Sequence, residues 1–264
     1  MLIKLSIVLI ALILIFCGNK GAKSIATTVI NISVLALYIY LIYKGVNPAF
    51  VTIPISIIFI YSILIYQNEE DIKARIALAS VISVIILIIP LIYILSQKLA
   101  CHGISEFQYE ITDSNGYTRN IGINMLLIQN SILIISLIGI MCDTAMAISS
   151  SIFEINKKTL SIDRKDVIKA SDEISRYVLS TSIHTIFYIY MAEFMTLIMQ
   201  FVKNMSFSEM LNSSSFAEGI LSITISGCGS LLVIPITRMI SIYCIENNIE
   251  RIRDIPKAFK NSLC

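Results

Sequence analysis

Asp143 is the residue of this chain best placed to do chemistry. It stands in the run Ser136-Leu137-Ile138-Gly139-Ile140-Met141-Cys142-Asp143-Thr144-Ala145-Met146, inside an apolar segment long enough to cross a bilayer. A carboxylate at that depth costs roughly 3 kcal/mol on insertion scales. A polar partner, a water-filled cavity or protonation must offset the cost, and a bound proton or ion is the functional form of all three. The plain structural reading is a hydrogen bond to a neighbouring helix. With a rise of about 1.5 Å per residue, Asp143 lies about 16 Å from the cytoplasmic end near Glu154, close to the midplane. His184 lies about 10 Å in from Tyr177, and Glu193 about 24 Å in. Asp143 and His184 are therefore expected to share an inner polar chamber with the hydroxyls of Thr181 and Thr185. Glu193 and Glu218 lie toward the outer mouth. Together these groups form a candidate proton or cation relay. The structural alternative makes His184 a satisfied buried imidazole and Glu218 a carboxylate favoured by a helix N-terminus.

The elements that must position these groups are read from apolar runs. Seven are of spanning length or close to it: Leu2 to Cys17, Ile25 to Tyr43, Phe50 to Tyr66, Ile76 to Leu95, Ile123 to Phe153, Tyr177 to Phe201 and Phe216 to Tyr243. The first is short and carries Lys4 ahead of Leu5 to Phe16, as a signal peptide would, but no small-x-small cleavage site follows, and it reads as a helix. The turn Gly45-Val46-Asn47-Pro48 joins the second and third spans, and Pro90 should kink or shorten the fourth. Ala100 to Asn120 is the longest outside connection. Its Asp113-Ser114-Asn115-Gly116 turn could close a small hairpin between Phe107–Ile111 and Tyr117–Arg119. Asn156 to Arg176 reads as an amphipathic helix along the inner leaflet.

The last three spans differ in kind from the Ile-, Leu- and Val-rich first four. In the fifth, Ser136, Gly139, Asp143, Ala147, Ser150 and Glu154 recur every three to four residues on one face. The sixth repeats this with Tyr177, Thr181, His184, Thr185 and Tyr188, and the seventh with Gly219, Ser222, Ser226, Gly229 and Ser230 above Pro235 and Thr237. Small residues allow close helix approach and hydroxyls bond across it, so Gly139, Ser150, Ser226, Gly227, Gly229 and Pro235 form a helix-packing motif. The three spans are expected to close around a polar interior that holds Asp143.

Composition agrees with a membrane-embedded chain. Of 264 residues, 56% are hydrophobic and 14% charged, against about 25% charged in soluble domains. Mean hydropathy is +0.82. The net charge of +2 is too small to suggest nucleic acid. Fourteen basic residues (Lys20, Lys23, Lys73, Arg75, Lys157, Lys158, Arg164, Lys165, Lys169, Arg176, Arg251, Arg253, Lys257 and Lys260) fall on one side, with Arg238 near them. Lys4, Lys44, Lys98, Arg119 and Lys203 fall on the other. The positive-inside rule then puts the C-terminus in the cytoplasm and the N-terminus outside. Trp is absent, and Tyr43, Tyr66, Tyr177 and Tyr243 take the interfacial aromatic positions. Of the six cysteines only Cys101 falls in an outside loop, so no structural disulfide is expected.

The expected fold is all-α: a polytopic helical membrane protein of about seven transmembrane helices forming a single integral membrane domain. Residues 1–98 supply four apolar helices, 99–121 an outside loop, 122–244 three striped helices and 245–264 a cytoplasmic tail.

The run Gly139 to Ser150, followed by Glu154, resembles the signature of the YibE/F-like membrane proteins, a Gly-x-x-Met-Asp-Val-Ala pattern running into Ser-Ile-Ala-Ser and a later Glu. Thr181-Ser182-Ile183-His184-Thr185 with Tyr190 is similar to the family's Thr-rich sixth helix, where Asn is usual at the position of His184. Ser226-Gly227-Cys228-Gly229 and Pro235-Ile236-Thr237 are similar to its final Gly-Ser-Ile-Gly and Pro-Leu-Thr elements. Gly18-Asn19-Lys20-Gly21 and Gly45-Val46-Asn47-Pro48 also fit, so the resemblance covers nearly the whole chain. It departs at Glu218-Gly219-Ile220-Leu221-Ser222, where the family usually has Thr-Glu-Ile-Val-Arg. The Asp143 segment is also similar, over a short stretch, to the fourth helix in each half of resistance–nodulation–division transporters. There Gly-x-x-x-Asp sets a proton-relay acid mid-membrane.

The leading expectation is a transport-related subunit of the bacterial cytoplasmic membrane that uses Asp143 for proton or ion coupling. It would work in the lipid bilayer as a homo-oligomer or as a hetero-oligomer with a sister membrane subunit. The alternative is a non-transporting structural or assembly subunit whose polar stripes bind partner helices. No enzyme motif, cofactor site or clustered set of metal ligands is read in the chain.

Overall fold

The computed structural model describes residues 2–68, 72–98, 125–158, 164–204 and 206–253. Among these every element is helical: α1 (Leu2–Tyr43), α2 (Pro48–Tyr61) continued by a π-helical turn (Ser62–Tyr66), α3 (Ile72–Lys98), α4 (Met125–Lys158), α5 (Arg164–Asn204), the short α6 (Phe207–Leu211) and α7 (Ser214–Arg253). The hairpin expected at Phe107–Arg119 lies outside the described residues, as does the expected tail beyond Arg253.

Among the described residues, five helices are long and apolar enough to cross a membrane: Lys4–Tyr43, Pro48–Tyr66, Ile72–Lys98, Leu126–Ile155 and Phe216–Ile245. The first and second expected spans fall together in α1, and α1 is two rods. Gly18 breaks it with φ 53 and ψ −133. A Cβ on Gly21 would stand 2.7 Å from the Ile13 carbonyl oxygen and 2.8 Å from Cys17 Cβ. In a straight helix, residues eight apart are separated by about 12 Å along the axis, so the chain bends sharply here. Gly18 tolerates the left-handed φ, and Gly21 leaves room for the rods to meet. The sixth expected span lies on α5.

Local chemistry explains the other boundaries. Gly45, at φ 86, turns the chain after α1. Asn47 then caps α2 by accepting from the Ala49 amide at 3.1 Å, with Pro48 at the first helical position, where its missing N–H costs nothing. Pro90 does not end α3, which runs on to Lys98. One lost backbone bond is tolerated where helix is the only way to satisfy the remaining backbone in an apolar medium. The basic stretch from Arg164 joins α5 without a break rather than forming a separate amphipathic helix.

α4 is the central rod, packed against α2, α3, α5 and α7. Its buried face is apolar: Leu133, Leu137, Ile138, Met141, Cys142, Ala145, Ile148 and Ile152. α3 meets it with Ala77, Val81, Val84, Ile88 and Ile92, and α7 with Leu221, Ile225, Val233 and Ile234. Two polar ties lock the ends, the first buried and the second half-buried. At one end Tyr38, Thr52 and Ser131 link α1, α2 and α4, with the Thr52 and Ser131 hydroxyls 2.6 Å apart and Tyr38 Oη 3.3 Å from Thr52 Oγ1. At the other, Arg238 of α7 pairs with Asp172 and donates through Nε to Ser171 Oγ at 3.2 Å on α5. Asp172 also receives Arg176 at 3.2 Å.

Candidate functional site

The three stripes do not close into one polar interior. That of α7 is buried: Gly219, Ser222, Ser226, Gly229, Ser230 and Thr237 all face the bundle. Ser226 Oγ lies 3.0 Å from Tyr190 Oη of α5. Gly229 lets α7 close on α4, since a Cβ there would stand 2.2 Å from Leu137 Cδ1. The stripes of α4 and α5 instead lie on the outer surface. Asp143, Ala147 and Glu154 are exposed, and Ser136, Gly139 and Ser150 are half-buried. Tyr177, Thr181, His184, Thr185 and Tyr188 are all exposed. The apolar faces of these helices took the core, because α3 and α7 offer Ile, Leu and Val surfaces that interlock with Leu133, Leu137 and Met141.

Of the expected packing residues, Gly229 and Ser226 sit at helix contacts. Gly139 and Gly227 have nothing within 4 Å of where a Cβ would stand, and Pro235 is exposed. Gly139 borders a crevice of about 300 Å³ between α1, α2 and α4, with Thr28 and Asn31 on its far wall.

The outward stripes of α4 and α5 meet in a groove of about 300 Å³. Ile140, Asp143, Thr144 and Ala147 line it from α4, and Val178, Thr181, Ser182, Thr185, Ile186 and Ile189 from α5. Asp143 is therefore brought together with Thr181 and Thr185, as expected. His184 stands outside the groove on the adjoining face of α5, and Glu193 lies on α5 with its side chain outside the described ones. Along Leu126–Ile155, Asp143 is about 26 Å from one end and about 18 Å from the other, which is mid-span.

The hydroxyls around Asp143 have their protons engaged. Thr144 Oγ1 donates to the Ile140 carbonyl at 2.8 Å, Thr185 Oγ1 to that of Thr181 at 2.8 Å, and Thr181 Oγ1 to those of Val178 at 3.0 Å and Tyr177 at 3.1 Å. Ser182 Oγ lies 3.5 Å from Thr144 Oγ1 and, with the Thr144 proton committed, is the donor of that pair. What these side chains turn toward the groove is lone pairs. Asp143 itself has no hydrogen-bond or ion-pair partner among the described residues. The site thus offers a carboxyl group and a ring of acceptors to whatever arrives, an arrangement that holds a proton or a small cation and gives a bare carboxylate no donor.

Sequence reading passed over Gln129 and Asn130. Both are buried at the start of α4, beside Ser131. Neither Oδ1 nor Nδ2 of Asn130, nor Oε1 of Gln129, finds a partner among the described residues. The signal was present as three consecutive polar residues cutting an apolar run. No group of three His, Cys, Asp or Glu side chains among the described residues is arranged to hold a metal ion.

Long apolar helices around a central rod, with one acid at mid-span, define a polytopic helical membrane protein. The chain belongs to the YibE/F-like protein family, whose model matches residues 5–247 and so takes in the whole Asp143 motif. No curated protein and no solved structure matches it.

Proposed function

We propose that this protein is a transport-related membrane subunit in which Asp143 takes up and releases a proton, or binds a monovalent cation, during its cycle. The observation that carries this reading is the groove itself. It surrounds a mid-span carboxyl group with acceptor-only hydroxyls and, among the described residues, supplies no cationic partner. Thr181 and Thr185 are the oxygen ligands nearest in role, and His184 flanks the entrance. Protonation removes the charge that the bilayer penalises and gives the carboxyl group a proton to donate to a neighbouring hydroxyl. A shift of α5 against α4 would then follow from the change at Asp143.

The chain crosses the bacterial cytoplasmic membrane seven times, with the N-terminus outside and the C-terminus inside. α1 makes two crossings, since 40 residues of helix measure about 60 Å against a core of about 30 Å, and α5 makes the sixth. The protein is not an enzyme, and it works as an oligomer with itself or a sister subunit. The test is a flux or complementation assay on variants matched for membrane abundance. Asp143→Asn is expected to be inactive while inserting normally, and full activity of Asp143→Asn would end the coupling role.

A second reading has its own support. The outward polar stripes of α4 and α5 suit an assembly subunit that binds partner helices and moves nothing. On that reading Asp143→Asn is tolerated, because Asn still makes hydrogen bonds.

A further inference from the structure

The outer face of α4 and α5 is the wrong chemistry for lipid. Asp143 and His184 are both exposed there, and neither makes a hydrogen bond or ion pair among the described residues. Tyr177 is 67% exposed and Tyr188 68% exposed, with Thr181 and Thr185 between them. Ionisable residues inside a membrane face a bundle interior or a water-filled cavity, and polar and small residues gather where helices meet. This face therefore belongs against protein.

Charge and height identify which protein. The 3.5 Å approach of Thr144 and Ser182 hydroxyls fixes those residues at one level. α4 and α5 run in opposite directions, so Asp143 lies one residue from that level and His184 two residues, on the same side. Their heights differ by about 1.5 Å. Within one chain they do not meet: Asp143 lines the groove and His184 stands outside it on the adjoining face of α5. A two-fold axis along the bilayer normal preserves height and brings each group opposite its counterpart on the other copy. An isologous contact of this kind makes the pairing reciprocal.

We propose that a second copy of this chain covers the α4–α5 face, so that Asp143 of each protomer is completed by the partner's His184. The inference rests on the coupling role of Asp143 and names the partner of that same site. The imidazole supplies the donor that the groove lacks, and the two grooves close toward each other across the axis. Each chain then contributes an acid to one site and a histidine to the other.

The experiment is cross-linking in native membranes between two differently tagged copies, one carrying Asp143→Cys and the other His184→Cys, with native cysteines replaced. Phe50→Cys, on the 77% exposed side chain of α2, measures chance collision. Oxidation is expected to give a mixed-tag dimer, reversed by reductant, at a yield several-fold above that control. A yield equal to the Phe50→Cys control, or capture of a different membrane protein in place of the tagged copy, overturns the proposal. If the cysteine variants do not reach the membrane, tagged and untagged unmodified chains are co-purified in lipid nanodiscs, and purely monomeric discs overturn it equally. The readout is independent of transport. Failed cross-linking alongside an inactive Asp143→Asn removes the second copy and leaves the coupling role. A cross-linked dimer with fully active Asp143→Asn does the reverse.

Discussion

A hydroxyl that has given its proton to its own helix can only accept from a neighbour, and this governs what Asp143 can bind. Thr144, Thr181 and Thr185 all bond back along their helices. Lengthening the acid by one methylene moves the carboxyl group about the groove while keeping its proton, so Asp143→Glu should retain part of the activity that Asp143→Asn loses. A flux assay that ranks Glu below Asn would contradict the relay. A second carboxylate tests the same physics outside the spans. Glu209 accepts from the Ser206 backbone N–H at 2.7 Å and from its hydroxyl at 2.8 Å, closing a capping box on α6. These bonds hold its pKa below the ordinary glutamate value. The sign follows: a group lowered in the folded state contributes stability above its unfolded pKa and loses it as pH falls through the folded one. Amide protection of α6 should thus fall on acidification through that lowered range, and Glu209→Gln should remove the acid dependence. Protection that is flat with pH in the unmodified chain would refute the assignment.

At the scale of helices, close approach distinguishes glycines that look alike in sequence. Gly229 faces Leu137 and Met141 with no space for a methyl group, whereas Gly227 faces open space. Gly229→Ala should cost about 1–3 kcal/mol through overpacking. Gly227→Ala should be neutral or add up to about 1 kcal/mol from helix propensity. Thermal unfolding in detergent checks both, and equal shifts would mean that the α4–α7 contact is not as tight as it stands. Periodicity had put both residues in one motif because spacing reports a shared face and says nothing about the distance to the facing helix. The same limit explains the stripes. Their existence and composition on α4, α5 and α7 were legible, and so was the meeting of Asp143 with Thr181 and Thr185. Which way each stripe faced was not, because in lipid an apolar face packs as well inward as outward and the choice depends on how facing side chains interlock. The break at Gly18 falls between the first and second expected spans, Leu2 to Cys17 and Ile25 to Tyr43, and the structure has a sharp bend between two rods there.

Across the whole molecule, charge asymmetry and helix length must agree on one topology. On the proposed topology, fourteen basic residues against five set the orientation, and each of the seven crossings alternates direction with the one before it. α5 is the decisive element, because it is the helix that links α4 to α7. If α5 did not cross, the residues on its two sides would share a compartment, and α4 and α7 could not both run from outside to inside. The Arg238–Asp172 pair sharpens this. It ties the start of α5 to the far end of α7, and only an antiparallel α5 that traverses the bundle brings those residues together. Three exposed positions report the result. Val46 lies in the turn between α1 and α2, 41% exposed, and Glu173 is exposed near the start of α5. An impermeant thiol reagent added to intact cells should label Val46→Cys and spare Glu173→Cys, which it reaches only after permeabilisation. Ser208→Cys on exposed α6, just past the far end of α5, should label from outside like Val46→Cys. Labelling of Ser208→Cys only after permeabilisation would mean that α5 turns back within the membrane, and the seven-crossing topology would fall with it.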